Sequence, residues 1–414
     1  MPAERQPVAT ARRASALLRR RLVAQGLAGP PLGTGADGPV AVARRLLATQ
    51  AQDPRGFRLA IRARTRGTSG ADVDRALSVE RSLVVTWLNR GTLHLVTRED
   101  YPLLQALVAP WQRTSAMTRL GQLGIDADLA DRAVGLVDGW LADEGPMSRH
   151  ALRERLLGAG IPADGQGLVH VLFRASLDGV LVRGPVAPDG AGAGTEQLYA
   201  RVADWIPEAP GAVGAVLREP ERGEVEIARR YLAGHGPADP RDLAKWLAMP
   251  LGRVRSALEA LGSKVVESDG GLVELAAGTG RPTGAVTTGG PAGAVAGGPV
   301  GAVAGGPAGA VTGGPGAREA PWSRGHRLPP PRLLGAFEPL LLGWCSREEV
   351  LGAQENAVIS GGVFRGIGLA GGRAVGAWRF GAAGVDFSPF GPLSETVARA
   401  LERDAEALLR FLGR

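Results

Sequence analysis

Between Pro282 and Ala317 the chain carries no charged side chain, and from Gly289 the octapeptides GGPAGAVA, GGPVGAVA and GGPAGAVT follow one another without a break. An uncharged run of that length invites a membrane span. Gly-Gly-Pro recurring every eight residues forbids it, because it breaks any helix long enough to cross a bilayer. The period is not that of collagen, and Gly, Ala and Val side chains alone build no core. The tract reads as a flexible linker over 278–320. Folding must therefore be achieved by a long segment before it and a short one after it.

The long segment has a rhythm that occurs three times. Residues 11–28, 38–49 and 55–66 carry apolar residues at helical spacing, with Leu46, Leu47, Leu59 and Ile61 as expected core. A short helix Asp72–Leu77 precedes two β-rich runs, Leu83–Leu88 and Thr92–Val96, around the turn Asn89-Arg90-Gly91. Helices followed by a hairpin describe a winged helix-turn-helix. A second round has helices Ser148–Leu157 and Gln166–Leu177, then strands Val180–Arg183 and Gln197–Val202. The third has helices Glu224–Ala233, Pro240–Leu247 and Leu251–Leu261, then a hairpin of Lys264–Glu267 and Gly271–Leu275. Connecting helices Asp100–Leu123 and Asp126–Asp143 lie between the first two rounds. The three rounds are unlike in sequence, so the architecture repeats and the residues do not.

After the linker, Val358–Phe364, Gly366–Leu369, Arg373–Phe380 and Val385–Phe390 are short β-type runs separated by glycines, which suits a small barrel or curled sheet. A helix over Leu393–Leu412 closes the chain. The expected fold class is thus α+β, mainly α: three tandem winged helix-turn-helix motifs with a C-terminal small β-barrel. The expected divisions are 1–124, 125–220, 221–277, the linker 278–320, and 321–414.

Charge is unevenly placed. Arg5 to Gly70 holds 13 arginines against Asp37 and Asp53, while the whole chain is only +7. A basic region on a near-neutral body points to a phosphate-rich partner. Arg45, Arg55, Arg58, Arg62 and Arg90 are its candidate contacts. The single cysteine, Cys345, excludes a disulfide framework and a Cys-rich metal site, and it reads as a small buried hydrophobe. No two of the five histidines stand at metal-ligand spacing, so neither metal nor cofactor is expected. The tryptophans are scattered without a stacking ladder and are assigned to cores. An apolar secretory core is missing from the Arg-rich start, and the chain reads as cytoplasmic and nucleoid-associated.

Inside the basic region stands Gln50-Ala51-Gln52-Asp53-Pro54. Asp53 before Pro54 is a natural N-cap, preferred here over a catalytic carboxylate. His94 is expected to be packed or hydrogen-bonded rather than to shuttle protons. Arg90 at the turn is either a phosphate contact or a polar turn residue.

QAQDP, then TWLNRGTLHLVTRED, then LLGAFEPLLLGW and GGVFRGIGLAGGRAVGAWRF together resemble the AlkZ-like, YcaQ-type winged-helix DNA glycosylases. The order and spacing match over essentially the whole chain outside the repeat tract. The resemblance implies catalysis by Gln50 and Gln52, the Gln-x-Gln form of a motif that is Gln-x-Asp in another branch. It implies double-stranded DNA carrying alkylated or cross-linked purines as partner, bound by a monomer, with the third hairpin and Lys264 near the minor groove. His94 joins these DNA-binding candidates. Glu338-Pro339 departs from the family's usual Asp-Pro, one acid replacing another.

Two neutral amides suit a particular chemistry. A cationic N7-alkylguanine leaves without a general acid, so the protein needs only to orient a water and polarise the sugar. An amide does both through its carbonyl and NH₂, by positioning rather than by taking up a proton. The scarcity of lysine near the motif implies no Schiff base. The expected activity is a monofunctional glycosylase for cationic purine lesions, bulky or cross-linked, with self-resistance to a genotoxic natural product as a setting. The rival reading is a non-catalytic winged-helix regulator or resistance factor.

Overall fold

The computed structural model describes residues 16–187, 196–268, 270–277, 327–382 and 384–413. The repeat linker, the start of the helix expected over 11–28 and Asp269 of the third turn lie outside them. Mixed helix and sheet are present, with helix predominating.

Helices Gly38–Leu46, Pro54–Arg62 and Gly70–Ser78 build the first layer. Each begins where the sequence supplies a start signal. Asp53 Oδ1 accepts from the N–H groups of Arg55 and Gly56, with Pro54 at the first helical position. Ser69 and Asp72 form a reciprocal capping box. Leu46, Leu47, Leu59 and Ile61 are all buried. The helix expected over 38–49 stops at Leu46, because Leu47 turns to φ 64°. The next residues, Thr49 and Gln50, become a strand antiparallel to Leu95 and His94. Sequential apolar residues at 46–48 fit either conformation, and the free edge of the hairpin decides.

That hairpin, Leu83–Leu88 with Thr92–Thr97, is not an isolated wing. Its outer strand pairs with the second hairpin, Leu181–Val186 with Gln197–Arg201, through Val85 opposite Arg183. A five-stranded antiparallel sheet results. The third hairpin, Val265–Ser268 with Leu272–Leu275, stands apart as a two-stranded sheet. Helix Ala209–Arg218, with little burial of its own, was not foreseen and fills the join before Pro220–His235.

The C-terminal segment does not close into a barrel. Among the described residues, Arg332–Leu334, Gly366–Ala370, Arg373–Gly381 and Gly384–Pro389 form an open four-stranded sheet. The glycines read as barrel corners have another use. A Cβ at Gly366 would strike the Trp378 ring, and one at Gly368 or Gly376 would strike Phe387, so they seat aromatic rings across the sheet. Helix Glu395–Phe411 then buries Leu401 and Leu408 against Leu59, Leu333 and Trp378. Leu59 belongs to the first layer, so the two ends of the chain share a core.

Among the described residues, no helix is long and apolar enough to cross a membrane.

Candidate functional site

Gln50 and Gln52 flank Ala51 at the point where the chain leaves the sheet edge for helix Pro54–Arg62. The ladder continues one residue past the strand, with Ala51 N–H donating to Leu93 O at 2.8 Å. This fixes the loop on the inner strand of the first hairpin. Gln50 is buried and Gln52 exposed. The Gln52 side-chain oxygen accepts from Leu93 N–H at 3.1 Å. The Gln50 side-chain oxygen lies 3.3 Å from Thr92 Oγ1, which is itself 2.9 Å from Asn89 O. Both amides are thus held by two successive residues of one strand.

His94 stands directly opposite Gln50 in the ladder, so their side chains share a face of the sheet. Its Nδ1 is 2.9 Å from Thr92 O. A carbonyl only accepts, so the Nδ1 proton is assigned by that contact and Nε2 keeps its lone pair. Burial pushes the imidazole down to about 3, with the Arg90 guanidinium acting in the same direction. The ring is neutral at physiological pH. It is packed and hydrogen-bonded, and its buried position does not suit a phosphate contact.

Asp53 spends Oδ1 on the helix N-terminus, at 2.7 Å from Arg55 N and 3.2 Å from Gly56 N. The turn before Pro339 seals the other side. A Cβ at Gly56 would lie 2.3 Å from Ala336 O, so only glycine admits the LLGAFEP segment this close to the Gln50–Asp53 loop.

The basic candidates divide. Arg58 is buried, ion-paired with Asp74 and donating to Pro54 O at 2.8 Å. Arg62 reaches Asp404 of the C-terminal helix, Nη2 to Oδ1 2.7 Å. Arg45 donates from Nε to Ala24 O at 2.8 Å. These three serve contacts within the fold. Arg55 and Arg90 remain at the surface. Arg55 lies over the Phe380 ring at 4.7 Å. Arg90, with φ 58°, is exposed and donates to Lys245 O at 3.3 Å. It thereby links the first turn to helix Pro240–Leu247. Lys264 is exposed in the short turn Gly262–Lys264 that precedes the third hairpin.

Three further features escaped sequence reasoning. Trp111 is 42% exposed, with the Arg253 guanidinium 5.5 Å from its ring centre, so it is not a core residue. Cys345 is only half-buried, and burial together with Asp242 raises its thiol pKa. Thr92 had no signal beyond its place in the hairpin. Among the described residues no His/Cys/Asp/Glu group is arranged to hold a metal.

A family model for DNA glycosylase AlkZ-like proteins matches residues 43–411. The chain is 23% identical over 382 residues to a Streptomyces sahachiroi protein named interstrand DNA cross-link repair glycosylase, with 90% of each covered. It is similar in fold to the solved structure of Streptomyces sahachiroi DNA glycosylase AlkZ, with a TM-score of 0.68, 21% identity and 96% of each chain covered.

Proposed function

The chain belongs to the DNA glycosylase AlkZ-like family, and from that premise we propose that it hydrolyses the N-glycosidic bond of N7-alkylated guanine and related cationic purines in double-stranded DNA. The observation that carries this reading is the anchoring of Gln50 and Gln52 by Thr92 and Leu93. Two amides anchored to successive residues of one strand suit the positioning of a water against a sugar.

The mechanism follows from what these groups are able to do. The alkylated base carries its own positive charge and departs without protonation. As the sugar becomes cationic, a water held by an amide carbonyl attacks it, and the water's proton passes to solvent. Asp53 is committed to the helix cap and His94 is neutral, so neither is cast as a strong base. No lysine amine is invoked, and the product is an abasic site without strand scission.

Gln52 of the pair is exposed, and excision beside the helix rather than in a deep pocket suits bulky and cross-linked lesions. Flipping such a base into a deep pocket would cost more than the few kcal/mol that an ordinary flip takes. The name of the Streptomyces relative as a cross-link repair glycosylase supports that substrate class. The proposed setting is a cytoplasmic, nucleoid-bound monomer that confers self-resistance. In the finer fold reading, each helical group with its hairpin is a winged helix along one DNA-binding channel. The proposed divisions remain 1–124, 125–220, 221–277 and 321–414, joined by 278–320. Arg55, Arg90 and Lys264 are the proposed phosphate contacts.

Incubation of the protein with N7-methylguanine and cross-linked duplexes, followed by alkali, tests the proposal. Alkali-labile abasic sites are expected, with no strand nicking before alkali and no adduct trapped by borohydride. Intact DNA after alkali, with every alkylated or cross-linked duplex, overturns it.

A further inference from the structure

Resting on the reading above, a water awaiting attack needs a group that accepts its hydrogen bond, and the polar contacts around Thr92 bear on which way each glutamine's carbonyl faces. Thr92 Oγ1 is 2.9 Å from Asn89 O and 3.3 Å from the Gln50 atom placed as Oε1, and exchanging that oxygen with Nε2 is a choice the hydrogen-bond partners make. A hydroxyl has one proton and two lone pairs. The Asn89 carbonyl only accepts, and at the shorter distance it takes that proton. A lone pair then faces Gln50. The O and N of a side-chain amide are told apart by their partners, and the partner of a lone pair is NH₂. Gln50 therefore donates to Thr92 and turns its carbonyl the other way.

Gln52 obeys the opposite constraint. Leu93 N–H is only a donor, at 3.1 Å from the Gln52 side-chain oxygen, so Gln52 is left with its NH₂ outward. We infer that Thr92 is a positioning residue: its hydroxyl and the Leu93 N–H set the two amides in opposite senses, giving the site one carbonyl acceptor from Gln50 and one NH₂ donor from Gln52. Were both amides set alike, each carbonyl would spend one lone pair on the strand and keep only the second for a water. The opposed setting lets Gln50 accept from the water while Gln52 donates to an oxygen beside it. Thr92 itself touches neither water nor sugar.

Three proteins test this: wild type, Thr92→Val, which keeps the shape and removes the hydroxyl, and Thr92→Ser, which restores it. Single-turnover excision of N7-methylguanine is read beside duplex affinity, with thermal unfolding confirming that each variant folds. Thr92→Val is expected to slow excision by about tenfold or more with affinity within about twofold, and Thr92→Ser to recover most of the rate. A wild-type rate in Thr92→Val, or a Thr92→Ser protein as slow as Thr92→Val, overturns the inference.

A second readout needs no excision. In protein labelled with ¹⁵N-glutamine, with Gln50 assigned by its loss in Gln50→Glu, the Gln50 NH₂ protons should exchange slowly in wild type and Thr92→Ser, and faster in Thr92→Val. Identical exchange in all three overturns the orientation. If wild-type protein releases no base at all, the glycosylase reading fails while this measurement still decides the amide's sense.

Discussion

Arg64 and Glu338, 274 residues apart in the chain, meet as an ion pair sealed from solvent, with Nη2 2.5 Å from Oε1. Arg64 also donates to Gln25 O at 2.7 Å and Ala60 O at 2.9 Å. Glu338 caps the short helix Pro339–Leu342. The pair clamps the end of the helix that follows the Gln50–Asp53 loop to the segment after the linker. Removing one partner strands a buried charge.

Glu338→Gln should therefore lower unfolding stability by about 3–5 kcal/mol, read by urea denaturation. Arg64→Met should cost a similar amount. The double variant should cost clearly less than the sum, by more than about 1 kcal/mol, because the two changes remove one shared interaction. Additive losses would mean that the two groups act independently.

The inward and outward arginines should separate in salt titrations of duplex binding. Arg55→Ala and Arg90→Ala are each expected to reduce the slope of log affinity against log salt by about one, with little sequence dependence. Arg58→Ala and Arg62→Ala should leave the slope unchanged and lower stability instead, since their guanidiniums serve Asp74 and Asp404. A reduced slope in Arg58→Ala would place that side chain on DNA.

Much of the helical scaffold was legible because its signals are local. Gln166–Leu177 and Pro240–Leu247 begin and end where periodicity and proline place them. The strand Leu83–Leu88 is equally plain from its β-branched and apolar run. What could not be read depends on partners distant in sequence. Nothing in Thr49-Gln50 announces that it will pair with Leu95 and His94. The merger of two hairpins rests on the register of Val85 with Arg183. The glycines of the last sheet look the same whether they bend a barrel or seat Phe387. The catalytic candidates were visible as residue types and through family resemblance. Their anchoring by Thr92 and Leu93 was not, because it exists only once the hairpin has formed. The Asp404 partner of Arg62 could not be read from sequence, because it lies 342 residues away.

Two buried histidines make stability fall with acid. Burial pushes both His94 and His235 down to about 3 in the folded chain, against about 6.5 when unfolded. Between those values the unfolded state binds more protons, so unfolding becomes easier as pH falls through about 6.5 towards 3. Each ring contributes up to about 1.4 kcal/mol per pH unit within that window, and nothing further well above it. His235→Phe keeps the stack on Tyr231, whose ring centre is 4.6 Å away, and removes the titration. Its stability should decline less steeply between about pH 6 and 4, by roughly that slope. An unchanged slope by urea denaturation across that range would contradict the assignment.

The central claim is that the chemistry resides in the two amides. Single-turnover release of N7-methylguanine from a fixed duplex, with duplex affinity measured in parallel, tests it most directly. Gln50→Ala and Gln52→Ala should each slow excision by about a hundredfold or more, with affinity within a few fold of wild type. Wild-type rates in both alanine variants would contradict the account and move the chemistry away from this strand.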